Sequence, residues 1–295
     1  MTLVVGRLFS DGPRLLADSK LTLASTVANP YTGGALKAVI LHPALCVAFA
    51  GGVMTAREAI LGLNVSPGAS FDTDEVCNEL WRASRRASGV TDFLVATLAP
   101  ERALIQIEGR GISRGHSATW IGDGLAYAEY ARRLQTSGDI PSDQAVRHLA
   151  PRRRAELAEW NRMFPAFVQV IDDGRFETVE GLPVSVAPTS NGFRYESSAF
   201  LAADHEQTVR PEDGWVDADW GTAAHGAFGY AVKTPDDPGI GAIGAYFPHI
   251  RLGVLYYPAR FLQPIIWREV RDDEFSEAVE HEFGITFGTK SLGFT

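Results

Sequence analysis

A lysine inside an apolar run must reach water, find a counter-charge or serve chemistry. Lys37 is such a residue, flanked by Ala35, Leu36, Ala38, Val39, Ile40 and Leu41. Upstream, Thr2 opens the run Thr2-Leu3-Val4-Val5, and Ala17-Asp18-Ser19-Lys20 closes the next apolar run. Downstream, Phe49-Ala50-Gly51-Gly52 ends an apolar stretch just before a helical pattern. A threonine hydroxyl is a weak nucleophile at neutral pH and needs a base beside it. The α-amine of a first residue, with a reference pKa of about 8, is such a base and sits on the same residue. Thr2 is therefore a candidate nucleophile once Met1 is removed, a favourable step because the second side chain is small. Each feature alone has a plainer reading. Threonine is common at position 2, Ala-Asp-Ser after a strand makes an Asx-type turn, and Gly-Gly before a helix makes a tight turn.

The elements that must position these residues follow from periodicity. Residues 3–9 and 14–18 read as short strands around Asp11-Gly12-Pro13, with 36–41 and 45–50 as two more. Residues 54–63 read as a short helix. Asp72 is set to cap a second helix over 75–87, with Glu75 three residues on and Val76, Leu80 and Ala83 on one face. Residues 92–98, 103–108 and 117–121 read as an antiparallel meander. Gly122-Asp123-Gly124 then opens a helix to about 134. A helical region spans about 142–171, broken near Pro151. Two strands follow near 183–188 and 193–198. Residues 203–223 are acidic and polar and read as a linker. Beyond them come strand-like runs such as 251–257 and a last helix over 273–283 that ends at Gly284. Two domains are expected, 1–200 and a β-rich extension over 201–295. The fold class is α+β. Strands, two helices, strands and then helices imply two sheets face to face with helices outside, a four-layer αββα sandwich.

Taken together and in this order, Thr2, Asp18, Lys37 and the Phe49-Ala50-Gly51-Gly52 turn resemble the N-terminal-nucleophile hydrolases, in particular the proteasome β-subunits and bacterial HslV-like peptidases. The likeness covers residues 2–135, continues through the strand, Gly-Asp-Gly and helix at 118–134, and gives out beyond about residue 200. It implies that the Lys37 cation disfavours protonation of the Thr2 amine and stabilises charge on the hydroxyl oxygen. It implies that Asp18 neutralises and orients Lys37. The Gly51 N–H becomes the oxyanion donor, glycine letting the main chain come close to a scissile carbonyl. Thr22 and Gly51 would pair their main chains with an extended peptide, and Leu21, Ala35, Phe49 and Val53 would line the pocket beside Thr2. The family commonly has serine where this chain has Asp123. Asp123 either orients the terminal amine or caps the helix that starts there. A further acidic partner of the family falls in the region of Asp173 and Glu177, with Thr178 as a nearby hydroxyl and no single assignment among them.

The activity so implied is threonine-type hydrolysis of a peptide or amide through an acyl-enzyme. A small-molecule amidase or acylase, and a non-catalytic self-assembling homologue, are the alternatives. Relatives of this type build rings or stacks, so a homo-oligomer is expected, with any unfoldase partner left open. The formal charge of −9 argues against a nucleic-acid or anionic-membrane partner. The one basic run, Arg152-Arg153-Arg154, reads as a solvated helix face. No apolar stretch reaches membrane-spanning length and no signal-type leader is seen, so a cytoplasmic chain beginning at or near residue 1 is expected. The two cysteines, Cys46 and Cys77, suit a reducing compartment and no disulfide. None of the seven histidines has metal-ligand spacing, so neither metal nor cofactor is expected. Gly239, Gly241 and Gly244 match Gly-x-Gly-x-x-Gly but lack the strand-then-helix context of a dinucleotide site.

Overall fold

The computed structural model describes residues 2–19, 35–66, 68, 70–137, 150–173, 175–176, 178–179, 181–196, 198–203, 227–236, 241–247, 251–257 and 264–288, with 198–203 and 227–230 described by their backbone. The chain is mixed α+β and falls into two compact units, Met1–Arg194 and Tyr195–Thr295. The first runs β1 (Leu3–Phe9), β2 (Gly12–Ala17), β3 (Ala38–His42), β4 (Leu45–Gly51), α1 (Val53–Leu61), α2 (Thr73–Arg86), β5 (Thr91–Thr97), β6 (Ala103–Glu108), β7 (Gly111–Ser113), β8 (Ala118–Gly122), α3 (Gly124–Thr136), α4 (Pro151–Asp172), β9 (Val184–Thr189) and β10 (Gly192–Tyr195). One antiparallel sheet has the order β10-β9-β2-β1-β8, the other β3-β4-β5-β6-β7.

Side chains alternate across each sheet, and the two faces have different partners. Leu3, Val5 and Phe9 of β1 pack with Tyr130 of α3 and with Trp160, Phe167 and Val170 of α4. Val47 and Phe49 of β4, with Phe93 and Val95 of β5, pack against Ala56 and Ile60 of α1 and Leu80 of α2. The opposite faces of the two sheets meet each other. A Cβ on Gly6 would lie 3.0 Å from Leu94 and 3.1 Å from Leu104, both on the other sheet, so a larger residue would require those side chains to give way where the sheets meet. Burying a side chain of leucine or phenylalanine size stabilises by about 1.5–3 kcal/mol. Each helix-covered face buries several such side chains.

The helix ends follow local chemistry. The Asp72 side chain accepts the Asp74 and Glu75 amides and caps α2, which starts two residues earlier than periodicity suggests. Pro151 begins α4 rather than breaking it, because a first-turn N–H has no intrahelical partner to lose. Residues 142–149 of the expected helix lie outside the described residues. Strand β7 was not foreseen from the sequence. It has three residues, too few to carry a period, and pairs with β6 at the end of its sheet.

The second unit is an antiparallel meander of β11 (Ser198–Ala203), β12 (Ala227–Lys233), β13 (Ile243–Phe247), β14 (Leu252–Tyr256) and β15 (Ile265–Arg268), followed by α5 (Asp272–Phe283). Most of the expected linker, 204–223, lies outside the described residues. Phe275 and Val279 of α5 pack with Tyr246, Leu255 and Phe287. Gly244 and Gly253 make that packing possible. A Cβ on Gly244 would sit 2.5 Å from the Phe287 ring, and one on Gly253 would overlap the Phe275 ring. Gly244 is thus a seat for an aromatic ring within a strand, which accounts for it without a nucleotide. No described helix is long and apolar enough to cross a membrane.

One half-buried carboxyl gives a stability test. The β5–β6 register, with Phe93 opposite Ile107, sets Asp92 opposite Glu108. Burial, then repulsion from Glu108, pushes the Asp92 pKa up to about 6. In the unfolded chain it titrates near 3.9. Between those two values the folded state keeps a proton that the unfolded state has released, so stability falls as pH rises through the window and stays lowered above it. Asp92→Asn removes that loss. It is expected to stabilise the protein at pH 7.5 by on the order of 1 kcal/mol, reduced from the full linkage value by solvent at this half-buried group, and to change little at pH 4. Urea unfolding at both pH values checks this, and equal effects at the two would contradict it.

Candidate active site

Thr2, Asp18 and Lys37 come together at one end of the two sheets. Thr2 directly precedes β1, Asp18 directly follows β2, and Lys37 directly precedes β3 on the other sheet. Antiparallel pairing of β1 with β2, Val4 opposite Ala17, returns Asp18 to the start of the chain. There its backbone N–H donates to the Leu3 carbonyl at 3.3 Å. Lys37 is held from its own side, its carbonyl accepting the Phe49 N–H of β4 at 2.9 Å.

The side chains form one hydrogen-bonded cluster. The Lys37 ammonium donates to Thr2 Oγ1 at 2.5 Å and to Asp18 Oδ2 at 2.8 Å. The Thr2 hydroxyl donates to Asp18 Oδ1, which also accepts the Leu3 N–H at 2.9 Å. Exposures are 1% for Thr2, 0% for Asp18 and 2% for Lys37. A lysine this buried is rare unless paired, and the Asp18 carboxylate is its pair. The arrangement leaves the hydroxyl oxygen beside a cation, with its proton directed at a carboxylate. The cation favours a deprotonated oxygen, and the carboxylate that accepts the hydroxyl favours the neutral form.

Two glycines end their strands in a backbone conformation that side chains rarely adopt. Gly51, the last residue of β4, has φ +101°, and a Cβ there would overlap the Val90 carbonyl. Gly122, the last residue of β8, has φ +107°, and a Cβ there would overlap the Thr2 carbonyl. Side chains rarely adopt such a φ, and here they would also have no room. Gly52 follows as the N-cap of α1, and its N–H donates to the Thr91 hydroxyl at 3.1 Å. Thr91 gave no signal in the sequence. It is an ordinary strand-opening threonine whose partner lies 39 residues away.

Asp123 caps α3, its Oδ1 accepting the Leu125 and Ala126 amides at 2.9 and 3.1 Å. Its own N–H donates to the Thr2 carbonyl at 2.7 Å, which ties α3 to the start of the chain. Oδ2 accepts the Thr178 hydroxyl. Burial alone would raise the Asp123 pKa, but the Thr178 hydroxyl and the two cap amides outweigh it and hold the carboxyl below its ordinary value. Capping and proximity to Thr2 therefore coexist in one residue.

The remaining sequence candidates scatter. Asp173 pairs with Arg133 and Arg175 at the end of α4. Phe49 is fully buried between β4 and the helices, with Val53 packed partly buried against the same cluster. Leu21, Thr22 and Glu177 lie outside the described residues. Ser19 was not singled out from the sequence, yet it is 2% exposed and its hydroxyl accepts the Leu182 N–H at 2.7 Å, anchoring the segment after Asp18. Among the described residues no group of three or more His, Cys, Asp or Glu could hold a metal ion. Cys46 and Cys77 are free and buried thiols, and burial pushes both thiol pKa values up. They are therefore poor nucleophiles. Compared with protein-family models and with curated proteins, the chain matches none.

Proposed function

We propose that the chain is a threonine-type amide or peptide hydrolase built on a four-layer αββα sandwich of the N-terminal-nucleophile type. The observation that carries this reading is the buried Lys37 ammonium donating to both Thr2 Oγ1 and Asp18. In an ordinary core, burying a charge pair costs several kcal/mol per ion before any interaction is counted. A lysine whose tip contacts a hydroxyl at the very start of the chain makes sense if that hydroxyl reacts.

Removal of Met1 makes the Thr2 nitrogen a free amine. That amine takes the hydroxyl proton as Oγ1 attacks a carbonyl carbon, directly or through one water. The Lys37 charge lowers the energy of the developing alkoxide, and Asp18 keeps Lys37 aimed. The Gly51 N–H accommodates the oxyanion. Collapse of the tetrahedral intermediate expels the amine leaving group, which accepts the proton, and leaves an ester on Thr2. Water then attacks the ester, with the same amine as base, and releases the acid. Asp123, held anionic beside Thr2, favours the protonated amine. It sets the lower limit of the working pH against the opposite effect of Lys37.

The experiment is intact mass before and after a β-lactone or epoxyketone probe. Loss of Met1 followed by a single adduct on Thr2 is the expected result. A chain shown to have lost Met1 that reacts with no acylating probe would sink the hydrolase reading in favour of a non-catalytic homologue.

A further inference from the structure

The first residues of a domain are commonly loose and solvated unless the fold ties them down. Here they are tied down tightly. Thr2, Leu3, Val4 and Val5 are 1%, 0%, 0% and 4% exposed. Strand β1 lies inside its sheet, between β2 and β8. Val4 faces Ala17 on one side and Ile121 on the other, and Val5 faces Leu16 and Trp120. Leu3 and Val5 also belong to the core formed with α3 and α4. Ahead of the strand, the Thr2 carbonyl accepts the Asp123 N–H at 2.7 Å, and the Leu3 N–H donates to Asp18 Oδ1 at 2.9 Å. Both polar groups of the Thr2–Leu3 peptide are thus engaged, and that peptide directly follows the bond that must be cut to free the Thr2 amine.

We propose that the Met1–Thr2 bond is a processing site open only before β1 enters its sheet, cut by a methionyl aminopeptidase acting on the unfolded start of the chain. The proposal rests on the function argued above, in which Thr2 reacts only once Met1 is gone. In the cut, water adds across the Met1–Thr2 amide. Methionine leaves with the new carboxyl group, and the Thr2 nitrogen becomes the amine. An aminopeptidase draws the first residue and the amide after it into its own active site, so the residues that follow must come out of their fold. For this chain that means parting β1 from both neighbours and pulling Leu3 and Val5 out of the core. Such an opening belongs to the global end of the range of unfolding events, unlike the small cost of a fraying end. A chain that folds with Met1 in place keeps it, and its site stays silent. The active fraction is then fixed by the race between excision and folding.

The test follows Met1 by intact mass. The full chain bearing Met1, made in cells whose methionyl aminopeptidase is inhibited, is purified in its folded state. It is mixed with purified methionyl aminopeptidase, and a peptide of residues 1–10 is treated in parallel. The same chain is also diluted from urea into the peptidase, so that excision competes with folding. Met1 loss from the folded chain is expected to be at least about 1,000-fold slower than from the peptide. The refolding chain should lose Met1 in a fraction that grows with peptidase concentration. Val170→Ala, in the same core but far from the cut in sequence, should speed loss from the folded chain about tenfold. If that variant does not fold, sub-denaturing urea takes its place, with the peptide reporting the peptidase's own response to urea. A smaller slowing, or a folded-chain rate that destabilisation leaves unchanged, overturns the proposal. So does Met1 loss without peptidase, which would mean that the folded chain cuts the bond itself. An uncut peptide overturns it too, since the block would then lie in the residue types and not in the fold. Probe labelling is scored separately. A chain free of Met1 that never labels defeats the hydrolase reading, whereas the excision rates stand as measured.

Discussion

Thr2→Ala is expected to abolish covalent labelling and turnover, whereas Thr2→Ser should retain part of both. Alanine removes the hydroxyl oxygen that contacts both the Lys37 ammonium and the Asp18 carboxylate. Serine restores that oxygen and loses the methyl that restricts χ1, so its hydroxyl spends less time in the reactive position. The fold should survive either change. The lysine–aspartate pair stays intact at 2.8 Å, and losing hydroxyl hydrogen bonds costs about 1–3 kcal/mol, within the stability of a domain of this size. Probe labelling read by intact mass, with circular dichroism as the folding control, decides it. Labelling of Thr2→Ala at the wild-type rate would mean that the nucleophile lies elsewhere.

Lys37→Met is the second large effect, and it separates chemistry from stability. Methionine keeps the length and apolar stem but removes the charge next to Thr2 Oγ1. Loss of such an electrostatic contributor costs on the order of 100- to 1,000-fold in rate. The single variant also strands the Asp18 carboxylate, 0% exposed, without its cation. Breaking a buried pair from one side typically destabilises by about 3–5 kcal/mol. Adding Asp18→Asn removes the stranded charge. The double variant Asp18→Asn/Lys37→Met is therefore expected to recover much of the melting temperature and none of the acylation rate. Lys37→Arg should also be slow, because a planar guanidinium does not fit where a compact ammonium contacts two oxygens. Single-turnover acylation and thermal melts on the same samples distinguish the cases. A double variant that regains activity along with stability would show Lys37 to be structural.

The sequence on its own determined which residues had a reason to be unusual. Lys37 stood out because a charge in an apolar run must be paired. Thr2 and Gly51 have plain readings of their own and stood out only through their order with Asp18 and Lys37, which resembles the N-terminal-nucleophile hydrolases. The order of strands and helices through residue 136 was also legible, since periods of two and of 3.6 differ over a few residues. Short elements were not: β7 has too few residues to show a period.

Only the tertiary structure decided what meets what. Asp18 and Lys37 sit on different sheets, and no local rule links a residue after β2 to one before β3. Asp123 posed a choice between capping and orienting that vanishes in three dimensions. Its side chain caps α3, and its backbone N–H reaches the Thr2 carbonyl. Asp173 lay at a suitable place in the order of the chain, yet it pairs with Arg133 of α3 and with Arg175. The hydrogen bond from the Gly52 N–H to the Thr91 hydroxyl leaves no local signal because it joins residues 39 positions apart. Residue type and spacing identify groups that are costly to bury. Which of them share one site is set by sheet register and packing, through contacts distant in sequence that leave no local pattern to read.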